Sequence, residues 1–314
     1  MESRNPIEHF IAHQGVMVLD GGLATALEAR GCDLDDDLWS AKVLLEAPHL
    51  IQQAHRDFLE AGADCIATVT YQATIPGFRK RGLTDLDSAD LLRQSVRLAV
   101  EARDEFWSEP ANRNGRLRPL VAASIGPYGA YLADGSEYTG QYGLGEADLY
   151  TFHRDRWQVL ADTDADLIAC ETIPSQSEAG VLLRLLRETP GRWAWISFSC
   201  RDGTHVSDGG KLVDAVRACD GEAQVAAVGI NCTSPDLISS LITEARTATD
   251  IPVIVYPNSG EGYDATGKSW MGAPRIADWG QACLQWIREG ATGVGGCCRV
   301  SAEQIARIRQ AVVR

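Results

Sequence analysis

The sequence predicts a closed (β/α)8 barrel forming a single domain over residues 1–314, on three observations. Eight short β-rich runs are apolar on both faces, amphipathic helical stretches separate them, and no Pro/Ser-rich linker, low-complexity segment or internal repeat divides the chain. A strand apolar on both faces belongs in a parallel sheet covered by helices, and eight such strand–helix units favour closure over an open sheet. In order, the runs are VMVLD (16–20), DCIATVT (64–70), PLVAASIG (119–126), DLIACE (166–171), WAWISFSC (193–200), QVAAVGIN (224–231), PVIVYPN (252–258) and the short GVGG (293–296). Segments such as PHLIQQAHRDFLEAG (48–62) and SADLLRQSVRLAVEARDEF (88–106) carry helical spacing of their apolar positions.

A chain of 314 residues, 45% hydrophobic and 23% charged, can bury a substantial core. Its net charge of −14 repels polyanions, so neither nucleic acid nor an anionic membrane is expected as a partner, whereas a cationic ligand meets no such barrier. The start, MESRNPIEHF, lacks the basic-then-apolar pattern of a secretory signal. No run of about 18 apolar residues exists to span a bilayer, and a cytoplasmic location is expected. Nine cysteines is an odd count, and Cys65, Cys170 and Cys200 sit inside apolar runs, which argues against a disulfide framework. With Cys32, Cys219 and Cys283 they read as small packing residues.

Catalytic groups in such barrels sit where strands end and βα-loops begin. The polar residues at those places are Asp20-Gly21-Gly22, Thr68 and Thr70, Glu171, Asn231-Cys232, Tyr256-Pro257-Asn258 and Gly295-Gly296-Cys297-Cys298. Cys232 ends the sixth run and Cys297-Cys298 ends the eighth, so closure can bring three thiols over one rim. Thiolates are soft donors that suit zinc, and three protein ligands leave a fourth tetrahedral position for substrate, as in catalytic sites. Adjacent cysteines on a regular strand point to opposite faces. Gly293, Gly295 and Gly296 let the backbone bend there, and Ser301-Ala302-Glu303-Gln304 reads as a capping box opening the next helix.

These residues resemble the homocysteine S-methyltransferase family, through LDGGLATALEARG (19–31), GSEYTGQYG (135–143), GINCTSP (229–235), YPNSGEGYD (256–264) and GGCCR (295–299). The similarity covers nearly the whole chain and is closest to the compact branch that uses S-methylmethionine or S-adenosylmethionine. It implies a barrel carrying one Zn2+ per chain on Cys232, Cys297 and Cys298. The implied reaction moves a methyl group from a cationic donor to the thiolate of homocysteine, giving methionine. It further implies that Asp20, Gly21, Gly22, Thr68 and Glu171 hold homocysteine, with Asn231 beside the metal. Charge supports this: the Gly21 and Gly22 amides precede a helix and can take a carboxylate, while Asp20 and Glu171 can pair with an ammonium. A monomer or weak homo-oligomer is expected.

Two branches of the family fit less well. Betaine-using relatives carry a tyrosine where Gln72 stands and a long C-terminal arm, whereas sixteen residues follow Cys298 here. Cobalamin-dependent methionine synthases need further domains. Val300 replaces the threonine usual after GGCCR, so a polar contact by that side chain is not carried over. Trp39 and Tyr128 are candidate cation–π faces, and His9, His13, His49, His55, His153 and His205 show no metal spacing. Two competing readings are a phosphate-binding barrel enzyme using Ser207-Asp208-Gly209-Gly210-Lys211, and a zinc buffer or redox sensor built on Cys297 and Cys298.

Overall fold

The computed structural model describes residues 4–34, 36, 39–264 and 269–313, the side chains of 39, 262–264, 269 and 270 excepted. The first seven runs carry β1 (Met17–Val18), β2 (Cys65–Ala67), β3 (Leu120–Ile125), β4 (Leu167–Ile173), β5 (Ala194–Phe198), β6 (Val225–Asn231) and β7 (Val253–Tyr256), each within its run except β4, which continues two residues past 171. An antiparallel pair, β8 (Gly262–Asp264) and β9 (Ser269–Met271), lies outside the main sheet, and the eighth run supplies β10 (Gly293–Val294). The main sheet is parallel, in the order β1-β10-β7-β6-β5-β4-β3-β2. A parallel bridge between Leu19 and Cys65 joins its two ends, with Asp20 N donating to Cys65 O (3.1 Å) and Asp64 N to Val18 O (2.6 Å). The expected barrel is therefore the observed one.

Two apolar layers follow from strands that bury both faces. Val18, Ile66, Val121, Ile168, Ile196, Val228 and Val255 pack outward under the helices, while Met17, Leu19, Ala122, Leu167, Trp195 and Ile254 fill the interior. Space there is tight: a Cβ on Gly293 would lie 2.5 Å from Ile254 Cγ2, so glycine is what lets Ile254 occupy the centre. The first helix, Pro6–Gln14, covers the end where the strands begin. Its Asn5 cap accepts from Ile7 N and donates to Ala226 O at 2.9 Å, and Ile7 and Phe10 join the interior layer. Among the described residues, no helix is long and apolar enough to cross a membrane.

One buried carboxylate fastens the seam. Asp64 accepts from Val18 N (2.9 Å) and Gln14 Nε2, and Arg309 of the last helix, Ala302–Val312, donates to both its oxygens at 2.8 and 2.9 Å. Burial still holds the Asp64 carboxyl above its ordinary range, the Arg309 charge opposing. Removing the arginine takes away the counter-ion hydrogen-bonded to this carboxylate and leaves Arg116, which is not hydrogen-bonded to it, as the remaining positive charge opposing its burial. Arg309→Leu should lower the unfolding free energy by about 3–5 kcal/mol; a loss below about 1 kcal/mol in urea titration contradicts this reading of the seam.

Candidate active site and metal centre

The three rim sulfurs converge because the turn that carries two of them is braced from both sides. Cys297 N donates to Pro257 O (2.8 Å) and Ser259 N to Cys298 O (3.1 Å), tying the turn to the loop after β7. Gly296 N donates to Asp20 O (3.1 Å) and Gly22 N to Val300 O (2.9 Å), tying it to the loop after β1. The glycines of DGG serve this close approach, since a Cβ at Gly21 would lie 2.4 Å from Val300 O and one at Gly22 2.7 Å from Cys297 O. Val300 is fully buried against Gly296, so its backbone carbonyl supplies the polar contact of that position.

Cys232 Sγ lies 3.7 Å from Cys298 Sγ, and Cys297 Sγ lies 4.0 Å from Cys298 Sγ; all three fall within 4.8 Å of one another. Thiolates about 2.3 Å from a tetrahedral zinc are separated by about 3.8 Å, the edge of the tetrahedron. The donor set therefore fits such an ion, and the cluster can hold a metal. Charge agrees with geometry. Donation from Cys297, Cys298 and the Tyr138 hydroxyl (3.1 Å) pulls the Cys232 thiol well below its ordinary range, while its charge holds the other two well above theirs. Without a cation only one of the three is readily ionised. The backbone is strained around them, with φ of +46° at Cys232, +58° at Thr172 and +66° at Arg299, conformations that persist only when neighbours enforce them.

Beside the sulfurs opens a cavity of about 400 Å3 with acidic walls. Asp20 accepts from Ala67 N (2.8 Å), and burial raises its carboxyl well above the ordinary range. Glu171 accepts from Ser124 Oγ and Tyr256 OH, and burial pushes it up to about 7. Thr70 gives its hydroxyl proton to Ser124 O (2.7 Å), so Thr68 donates to Thr70 (2.7 Å) while accepting from Ser124 N (3.0 Å). Thr68 keeps one lone pair for a ligand.

The segment between β3 and the helix Glu146–Ala161 crosses the mouth and delivers Tyr138 to Cys232 from across the ring. Buried Glu178 anchors it, accepting from Tyr128 N (2.6 Å), Tyr142 OH (3.1 Å) and His153 Nε2 (2.8 Å). Arg156 donates to His153 Nδ1 (3.0 Å) and Gly126 O (2.7 Å), which makes Nδ1 the acceptor and places the imidazole proton on Nε2. Gln72 Nε2 adds a bond to Ala130 O at 2.7 Å.

Asp20, Gly21, Gly22, Thr68, Glu171 and the three cysteines all line the cavity. Asn231 does not. Its Oδ1 accepts from Thr172 N (2.7 Å) and Ser197 Oγ (2.8 Å) and its Nδ2 donates to Thr172 Oγ1 (2.8 Å), so it stabilises the strained turn after Glu171 instead of touching a ligand. The Gly22 amide is committed to Val300, which leaves only that of Gly21, of the two, for a carboxylate. Tyr128 packs on Tyr131, Tyr142 and Phe152 away from the cavity, and the side chain of Trp39 lies outside the described residues. The phosphate-loop reading fails: the amides of Ser207, Asp208, Gly209 and Gly210 go to Ser199 O, Pro174 O, Val206 O and Asp208 Oδ1. Tyr138, Glu137, Tyr71 and Thr172, to which the motifs gave no role, also line the cavity. The length of the β3–β4 connection was the available signal, since loops of that size in compact domains are usually functional.

A (β/α)8 barrel with a three-cysteine cluster able to hold a metal at its mouth is what this fold and site define. The family model described as homocysteine S-methyltransferase matches residues 17–312. The homocysteine S-methyltransferase YbgG of Bacillus subtilis is 51% identical over 97% of this chain and 96% of its own length, and the homocysteine S-methyltransferase of Escherichia coli 46% over 98% and 99%. The crystal structure of the metallated form of the homocysteine methyltransferase MmuM from Escherichia coli superposes with a TM-score of 0.87, at 43% identity over 97% of this chain and 99% of that one. The chain belongs to the homocysteine S-methyltransferase family and is a methyltransferase.

Two outcomes test this description. Asn231→Ala strands the Thr172 amide and the Ser197 hydroxyl, and should cost about 2–4 kcal/mol of stability; an unchanged denaturation midpoint rules it out. The Glu171 carboxyl, raised to about 7 in the folded chain from an ordinary 4.5, contributes stability that is full below pH 4.5 and lost as pH rises through 7. Relative to Glu171→Gln, the wild-type protein should therefore weaken between pH 5 and pH 8. A stability difference flat across that range contradicts the assignment.

Proposed function

We propose that this single-domain enzyme, residues 1–314, transfers a methyl group from S-methylmethionine or S-adenosylmethionine to L-homocysteine, with one zinc ion held by Cys232, Cys297 and Cys298. The carrying observation is the spacing of the three sulfurs, 3.7 Å from Cys232 to Cys298 and 4.0 Å from Cys297 to Cys298, at the wall of an acidic cavity. When bound there, zinc would supply a Lewis-acidic position at which a thiol, ordinarily near pKa 8.5, is a thiolate at neutral pH.

The chain's own residues then have three tasks. Asp20 and Glu171, with the lone pair of Thr68, receive the ammonium of homocysteine, and the Gly21 amide receives its carboxylate. Held by both ends, the substrate points its sulfur at the cysteine cluster. Tyr138 donates to Cys232 Sγ and keeps that ligand in place. Methyl transfer is a displacement at carbon: the homocysteine sulfur forms a bond to the methyl carbon as the bond from that carbon to the sulfonium breaks, and the electron pair leaves with a neutral thioether. Alignment of the two sulfurs is the protein's main contribution, worth up to about 7–11 kcal/mol in favourable systems. A sulfonium suits a site walled by carboxylates and thiolates in a chain of net charge −14, and a monomer or weak homo-oligomer suffices, since one chain supplies every residue named.

Cys298→Ser should bind zinc at least about a hundredfold more weakly and lose methionine formation in proportion, with the fold intact by circular dichroism. Assayed side by side on metal-loaded protein, S-methylmethionine or S-adenosylmethionine should support turnover and betaine should not. Retention of one zinc and of activity in the variant refutes the ligand assignment, and turnover with betaine alone refutes the donor assignment.

A further inference from the structure

The cavity holds more carboxylates than homocysteine needs, since Glu28, Asp33, Asp36 and Glu137 line it besides Asp20 and Glu171. Asp20 and Glu171 each accept a hydrogen bond from the protein and answer the single ammonium of that substrate. Glu137 lines the same cavity from the 3-10 turn Ser136–Tyr138, and its Oε2 is buried with no hydrogen-bond partner among the described residues. A buried carboxylate oxygen without a donor costs several kcal/mol unless a ligand or a proton satisfies it. Burial accordingly pushes this carboxyl up to about 7, with the Cys232 charge adding to the effect.

Its position points toward the second substrate. The Glu137 backbone is fixed by Ser199 Oγ donating to its carbonyl (3.1 Å), and the next residue puts its hydroxyl 3.1 Å from Cys232 Sγ. Glu137 therefore stands beside the sulfur cluster, on the loop spanning the mouth, whereas Asp20 and Glu171 project from strand ends. A methyl donor must bring its sulfonium to that same cluster. We propose that the Glu137 carboxylate receives the ammonium of the methyl donor and so selects amino-acid sulfoniums over cations that carry no N–H. The inference rests on the donor reading given above. A quaternary ammonium or a simple sulfonium carboxylate offers the charge but no hydrogen to donate, so it gains less from this contact.

The test uses zinc-loaded full-length protein, with S-methylmethionine, S-adenosylmethionine and the ammonium-free sulfonium dimethylsulfonioacetate as donors. Glu137→Gln should raise KM for whichever amino-acid sulfonium the wild type uses by about tenfold or more. It should leave KM for homocysteine within about twofold, and leave the wild-type enzyme's smaller kcat/KM for dimethylsulfonioacetate unchanged or higher. Calorimetric titration of S-methylmethionine into Glu137→Ala, whose fold is checked by its melting profile, should show the same loss of affinity. An equal loss with all donors, a loss confined to homocysteine, or no loss overturns the assignment. Wild-type protein inactive with both amino-acid sulfoniums would instead refute the donor reading itself, a result visible before any variant is made.

Discussion

Everything at the mouth of this barrel depends on how the turn 295–300 is gripped. Two main-chain bonds from the loop after β7 and two involving the loop after β1 fix a segment in which adjacent cysteines must serve one centre. A free Cys-Cys pair would sample many arrangements of its two sulfurs. Here those four bonds hold the backbone around them, and the third sulfur joins through a strained Cys232 immediately after β6. The glycines before and beside the turn are needed because the two loops approach to within backbone contact, where any side chain would collide.

That grip concentrates negative charge. Three sulfurs and six carboxylates line a common cavity, and burial and mutual repulsion raise the pKa values of Asp20, Glu137, Glu171, Cys297 and Cys298, favouring their neutral forms. The reactants of a sulfonium-dependent methyl transfer carry the missing positive charges. On the proposed reading, substrate and donor complete the electrostatics of the site, and binding energy is realised where the chemistry occurs.

The sequence was legible wherever the information was local. Seven of the eight barrel strands fall inside runs read from apolar patterning and β4 overruns its run by two residues, while the rim positions of Asp20, Thr68, Glu171 and the three cysteines followed from where those runs end. Legibility failed where a role depends on a partner far along the chain. Asn231 stands next to Cys232, yet its amide is turned to Thr172, fifty-nine positions away. Gly22 presents what looks like an anion-binding amide until Val300 arrives to accept it. Ser207–Lys211 has the composition of a phosphate cradle, but its turn consumes its own donors. Tyr138 and Glu137 were visible only as letters of a motif, because no periodicity tells where a long loop will fold back.

The last strand has a consequence for how the protein is made. β10 is two residues long, and β1 and β7 are joined in the sheet only through it. Until residues 293 and 294 have been synthesised, the growing chain carries an open sheet with two unsatisfied edges, a state prone to wrong pairing. Cys297 and Cys298 emerge from the ribosome immediately afterwards. Ring closure and the completion of the three-cysteine set thus fall within the same few residues, and a polypeptide that stops before residue 293 lacks both.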